Sequence, residues 1–248
     1  MKNHMKILGL DSSGLVAGVA IVENDELVAE YTTNYKKTHS QTLLPMLDEL
    51  RRMIELDLQT IDAIAIASGP GSFTGLRIGS ATAKGLGLAL DKPLVEVPTL
   101  EGMAWNLYGS DRIVCPLMDA RRNQVYTAAY EFLPDGGEFR LNTVIPQGPV
   151  DIHEILEKLA GLNRPVIFLG DGVPVYRGEI DKQQGLQYAF AAPGNNRQRA
   201  ASVAALGAVY FAKGQTVSAG EHRPEYLRRT QAEQEAERSG ARREGTGG

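Results

Sequence analysis

Sulfur chemistry is nearly absent from this chain, which has one cysteine, Cys115. A disulfide framework and a cysteine-based zinc site are both excluded. Within the apolar run of residues 113–119, that thiol reads as a packing residue rather than a nucleophile. Histidine is scarce too. The four, His4, His39, His153 and His222, form no i, i+4 pair, so the helical metalloprotease pattern is missing. No segment approaches the ~20 consecutive apolar residues of a membrane span. Residues 1–10 lack a signal-peptide run with a cleavage site behind it, so a cytoplasmic protein without a membrane partner is expected. Charge of one sign is also lacking. Lys and Arg number 26 against 30 Asp and Glu, a formal net charge of −4, which argues against a dedicated nucleic-acid binder. There is neither a Walker ending (Gly-Lys-Ser/Thr) nor a Gly-X-Ser-X-Gly nucleophile elbow.

Glycine is plentiful, with 27 in 248 residues, about a tenth of the chain against a usual ~7%. The length suits one large or two small domains. Residues 6–11 form an apolar run ending on Asp11, as a buried strand does when it delivers an acid to a cleft. Residues 15–23 and 26–33, separated by Asn24-Asp25, complete a predicted antiparallel meander. Leucines at 43, 44, 47 and 50 with Ile54 predict a helix over 38–56, with Thr38 and Gln41 as a capping box and His39 beside it. Pro45 either bends that helix or lies in the first turn of one starting at Thr42. A buried strand at 62–68 feeds a glycine loop and a helix over 74–90; a strand at 94–97 and a helix over 100–107 follow.

The second half repeats this programme. Strands are expected at 113–119, 125–132 and 138–143, a helix at 152–159, a strand at 166–169, then the glycine loop 170–172. Asp119 answers Asp11 and Gly170 answers Gly69. Two βββαβα units with a cleft between them are one reading; a fortuitous parsing of a mixed α/β chain is the other. An Ala-rich helix over 200–213 is expected to pack back on the core. Beyond Thr230 the composition is too polar to offset its ordering entropy, so a disordered tail is expected.

The strongest motif is residues 69–79, Gly-Pro-Gly-Ser-Phe-Thr-Gly-Leu-Arg-Ile-Gly. A strand, a glycine loop and a helix start can bind an anion on outward N–H groups, with Gly69, Gly71, Ser72 and Thr74 as candidates beside Asp11. The same residues can equally form a tight turn capped by Ser72 or Thr74. Arg77 is expected to be held by an acid or a phosphate. Gly75, Gly79, Ala83 and Gly87 recur at i, i+4, and interior glycines cost about 0.5 to 1 kcal/mol each against alanine. With Leu76 and Leu86, and with Leu43, Leu47, Leu50 and Ile54 of the preceding helix, this face is either half of a four-helix subunit interface or the monomer's own core. Asp11 with Ser12-Ser13-Gly14 can form a phosphate loop. Its counterpart Asp119-Ala120-Arg121-Arg122-Asn123 lacks glycine, so Arg121 and Arg122 bind an anion, pair with Asp119, or lie in a solvated turn.

The chain resembles the bacterial TsaB (YeaZ) family. The resemblance rests on residues 7–13, His39-Ser40 with Leu43-Leu44-Pro45, residues 69–79, Asp119-Ala120-Arg121-Arg122 with Val125-Tyr126, and Pro224-Glu225-Tyr226-Leu227-Arg228. It implies an α/β fold that is duplicated, two-lobed and ribonuclease H-like, as in actin, the heat-shock chaperones and the sugar kinases. The lobes would span 1–110 and 111–229, ahead of the tail at 230–248. It further implies a non-catalytic subunit for making threonylcarbamoyladenosine beside the tRNA anticodon. Such a subunit would pair through its N-terminal helices with a catalytic TsaD-like subunit, or with a second copy in its absence. A TsaE-like ATPase joins, tRNA is met through the complex, and ATP or ADP and metal belong to the partners. The competing reading is a nucleotide hydrolase or kinase using Asp11 and the 69–74 loop.

Overall fold

The computed structural model describes residues 5–35 and 42–223. The first sheet opens with the expected meander: β1 (Lys6–Asp11), β2 (Ala17–Glu23) and β3 (Glu26–Thr33), paired antiparallel. Helix α1 (Leu43–Met53) follows, with Thr42 as N-cap. Pro45 therefore lies in the first turn, where its missing N–H has no intrahelical partner to lose. The capping box and His39 lie outside the described residues. Strand β4 (Ala63–Gly69) runs parallel to β1 and leads into α2 (Phe73–Leu90); β5 (Leu94–Pro98) then pairs parallel with β4. Helix α3 (Thr99–Ala104) and a short 3₁₀ turn close the first half.

The second half comprises β6 (Ile113–Asp119), β7 (Gln124–Asp135), β8 (Glu138–Asp151), α4 (Ile152–Gly161), β9 (Val166–Leu169), α5 (Gly172–Lys182), β10 (Tyr188–Phe190) and α6 (Ala200–Ala212). Strand order is β3-β2-β1-β4-β5 in one sheet and β10-β9-β6-β7-β8 in the other. Substituting each strand by its counterpart makes the two orders identical, so the repeat is a duplication of topology. Strand β8 runs well past the predicted 138–143. Pro146, Gly148 and Pro149 discourage a strand, but β8 is an edge, where proline forfeits no ladder bond. Little in the sequence marks α5 and β10: Pro174 lies in the first turn of α5, Tyr176 interrupts its helical geometry, and β10 is only three residues long.

Alternation along the strands gives the first sheet two apolar faces. Leu8, Leu10, Ile64 and Ile66 meet α1 and α2 on one side. Ile7, Ala65, Val95 and Val97 meet α6 on the other. Small residues set that second contact. A Cβ on Gly9 would strike the Ala200 carbonyl and Ala204, and one on Gly207 would strike the Ala65 methyl. Helix α6, late in sequence, thus completes the first lobe. Helix α3 in turn packs Leu100, Met103 and Ala104 on Val114, Met118 and Tyr130 of the second sheet. The sheet's remaining face buries Ile152, Ile155 and Leu159 of α4.

Cys115 is fully buried with its Sγ 3.4 Å from Thr127 Oγ1, and burial pushes its thiol up to about 12. No described helix is long and apolar enough to cross a membrane.

Candidate functional site

The ends of β1, β4, β6 and the loop after β9 converge on a cleft of about 420 Å³ between the lobes, lined by Ser13, Gly71, Ser72, Asp119, Arg121 and Asp171 among others. Of the two acids predicted at strand ends, Asp119 lines this cleft, while Asp11 is buried beneath the Ser12-Ser13 turn and does not reach it. Gly69, the last residue of β4, and Gly170, the first after β9, have φ of 126° and 109°, a region only glycine visits easily. The Gly69–Pro70 peptide is cis.

The two halves of the cleft differ in detail. Asp11 is 2% exposed and turns its carboxylate back on its own loop, accepting from Ser13 N at 2.8 Å and Ser13 Oγ at 2.7 Å. The Ser12-Ser13 backbone then lies directly on the glycine loop. Ser72 N donates to Ser13 O at 2.6 Å, and Ser12 Oγ donates to the Gly75 carbonyl at 2.9 Å. A Cβ on Gly71 or Gly75 would collide with the Ser13 or Ser12 carbonyl oxygen. Ser72 caps α2 by accepting from Gly75 N at 3.3 Å. Of the two readings of this loop, the structure builds the capped turn. Two N–H groups that would have met an anion are occupied by the chain itself, while Thr74 is exposed on the first turn of α2.

On the opposite side, Asp119 Oδ1 accepts from Arg121 N at 2.8 Å and from the Tyr176 hydroxyl at 3.1 Å. Burial first, then the hydrogen bond to Asp119 and the charge it carries, pushes the Tyr176 phenol up to about 12. The Arg121 backbone, not its guanidinium, makes the contact with Asp119. Arg121, Arg122 and Asn123 are exposed and form a turn with φ of 64°, 56° and 60°, left-handed throughout without a glycine. Asp171 accepts from Asp119 N at 3.3 Å, and burial raises its carboxyl above the ordinary range despite nearby Arg197. No histidine lines the cleft, and among the described residues no group of three or more His, Cys, Asp or Glu is placed to hold a metal ion.

The helix face predicted for a partner is corrected by the structure. Gly75, Leu76, Gly79, Ala83 and Gly87 are buried, as are Leu43, Leu47 and Leu50 of α1, while Ile54 and Leu86 are half-buried. A Cβ on Gly79 would meet Ser12 Oγ at 2.5 Å and Ile66 at 3.1 Å. The glycine ridge lets α2 lie close on β1 and β4 of its own lobe. The outward face of α2 carries Thr74, Arg77, Ala81, Gly85 and Leu88; that of α1 carries Leu44, Pro45 and Met53. Leu88 is 69% and Met53 79% exposed. Among the described residues no acid forms an ion pair with Arg77. Its guanidinium lies over the Phe73 ring, 3.8 Å from the centroid. Because α2 is apolar nearly all round, periodicity gave little sign of which side faces out; the polar Thr74 and Arg77 were the available signal.

Two sheets of matching strand order around a shared cleft define a duplicated, two-lobed α/β fold. A model of the TsaD family, tRNA N6-adenosine threonylcarbamoyltransferase, matches residues 26–236. The tRNA threonylcarbamoyladenosine biosynthesis protein TsaB of Bacillus subtilis is 35% identical over 231 residues, covering 92% of this chain and 96% of that protein. The Escherichia coli protein of the same name is 32% identical over 228 residues, covering 90% and 95%. The solved structure of YeaZ from Pseudomonas aeruginosa aligns with a TM-score of 0.74 at 26% identity, over 90% of this chain and 100% of that one. The chain belongs to the TsaB (YeaZ) family.

Proposed function

We propose that this chain is a non-catalytic, cytoplasmic subunit in the synthesis of threonylcarbamoyladenosine on tRNA. It pairs with a catalytic TsaD-like subunit, with a TsaE-like ATPase joining the assembly, and with a second copy of itself when the catalytic subunit is absent. tRNA is met through the complex. The observation that carries this reading is the outer layer of the first lobe. Leu44, Pro45 and Met53 of α1 and Ala81, Gly85 and Leu88 of α2 lie outward on helices covering one face of one sheet. Apolar area of this kind on a folded chain marks a docking surface. Gly85 has nothing within 4 Å of a would-be Cβ, so a partner's helix can approach it closely. The closed Ser12-Ser13 and Gly69–Ser72 loops weigh against the nucleotide hydrolase reading, since their amides already serve the fold.

The test is co-expression with the cognate TsaD-like subunit and mass measurement of the complex. Gly85→Trp and Leu88→Asp should each weaken pairing by at least about tenfold, a loss of roughly 1.4 kcal/mol, and leave monomer circular dichroism unchanged. Unimpaired pairing in both variants would overturn the assignment of this face. Tight ATP-Mg²⁺ binding and turnover by the isolated chain would favour the enzyme reading instead.

A further inference from the structure

A second cavity of about 420 Å³ shares no lining residue with the interlobe cleft. It opens between α3, α6 and the β7–β8 hairpin, within the 300 to 1,000 Å³ or so typical of small-molecule sites. One wall is aromatic. Trp105 and Tyr108 have ring centroids 4.9 Å apart, and Phe139 stands edge-on to Tyr108 at 5.6 Å and 88°. The Tyr108 hydroxyl accepts from Phe139 N at 2.7 Å, which fixes its ring. Glu101 of α3 and Tyr210 of α6 line the same space, and the Tyr210 hydroxyl donates to Glu101 Oε2.

The charges around this cavity do not balance. Asp135 and Glu138 line it, and so do Arg140 and Lys213, two acids against two bases. With Glu101 the lining carries three acids against two bases, and Glu101 is the most enclosed of the three. Among the described residues it forms no ion pair, and burial makes its carboxyl harder to ionise, an effect the Tyr210 hydrogen bond only partly offsets. A half-buried carboxylate beside the exposed Tyr108 ring and the half-buried Trp105 ring suits a charge that is positive, diffuse and weakly hydrated. A hydrated divalent metal needs several oxygen ligands, which aromatic walls do not supply. An anion would meet both the carboxylate and the negative ring faces.

We propose that this cavity binds a small organic cation, an ammonium or guanidinium group, with its charge against the Glu101 carboxylate and its body on Trp105 and Tyr108. Cation binding favours the ionised carboxyl, so affinity should rise with pH.

The chain has a single tryptophan, Trp105, so fluorescence excited at the red edge of the band, where its nine tyrosines do not absorb, reports on this cavity. The full chain would be titrated with tetramethylammonium chloride and ethylguanidinium chloride at constant ionic strength, with potassium chloride as control and sodium phosphate as the anion. The expected result is a saturable fluorescence change with either organic cation and none with potassium or phosphate. Half-saturation should fall as pH is raised from about 5 to about 8. Glu101→Gln, which keeps an acceptor for Tyr210, should abolish the response, and Tyr108→Leu, which keeps apolar bulk without the ring, should weaken it about tenfold. Circular dichroism checks each variant, and the Tyr108 variant decides alone if Glu101→Gln does not fold. No saturable response to either cation, a response equal to that with potassium, or one that survives both substitutions overturns the proposal.

Discussion

Gly75, Gly79 and Gly85 lie on one helix, α2, and differ in what a methyl group would meet. At Gly75 it meets the Ser12 carbonyl, at Gly79 Ser12 Oγ and Ile66, and at Gly85 nothing within 4 Å. Alanine at Gly75 or Gly79 should therefore destabilise by about 1–3 kcal/mol through overpacking. Alanine at Gly85 should stabilise by about 0.5–1 kcal/mol by restricting the unfolded chain and improving helix propensity. Urea unfolding midpoints check both signs; destabilisation at Gly85 as large as at Gly75 would contradict the inward orientation of the ridge. The acids at the ends of β1 and β6 and the glycines where β4 and β9 end were legible residue by residue, because each punctuates a strand. The direction in which Gly79 faces was not, since it depends on the Ser12 loop lying against it from 67 positions away in sequence.

Helix α6 shows what an element contributes that its own sequence does not announce. It is Ala-rich because β1 and β4 present Gly9, Ala63 and Ala65 to it, and close approach there leaves no room for larger side chains. Gly207→Leu should cost at least about 1–3 kcal/mol and loosen the whole first lobe. The checks are a lowered urea midpoint and increased binding of a hydrophobic dye. A variant as stable as the parent would show that α6 can move away from Ala65 without loss. That this helix packs back on the core was readable from its apolar composition. That it covers the first lobe, while α3 reaches the second, depends on the exchange of terminal helices between the repeats.

At the scale of the molecule, the buried acids impose a pH dependence of definite sign. Burial raises the carboxyl of Glu101 and that of Asp171, so in the folded protein each retains a proton that the unfolded chain has already released. Their contribution to stability therefore falls as pH rises from the ordinary carboxylate range, near about 4, and levels off above the raised folded values. Glu131, held low by the Arg164 hydrogen bond, acts in the opposite sense: its contribution is present above the ordinary range and is lost as pH falls through its lowered one. Glu101→Gln should accordingly raise the melting temperature relative to the parent more at about pH 7 than at about pH 4. Thermal unfolding of parent and variant at both values checks this, and a difference independent of pH would contradict the burial of that charge.

The sequence by itself determined the strand meanders, the two acid-ended strands, the paired glycine loops and the family, because these rest on local periodicity, turn chemistry and contiguous motifs. Only the tertiary structure decided which side of α2 faces solvent, that the glycine loop is closed by the Ser12-Ser13 backbone, and that Glu101, Trp105 and Tyr210 share a cavity. Those facts come from contacts between residues far apart in the chain. A helix apolar on every side carries no internal mark of which face its own sheet will bury.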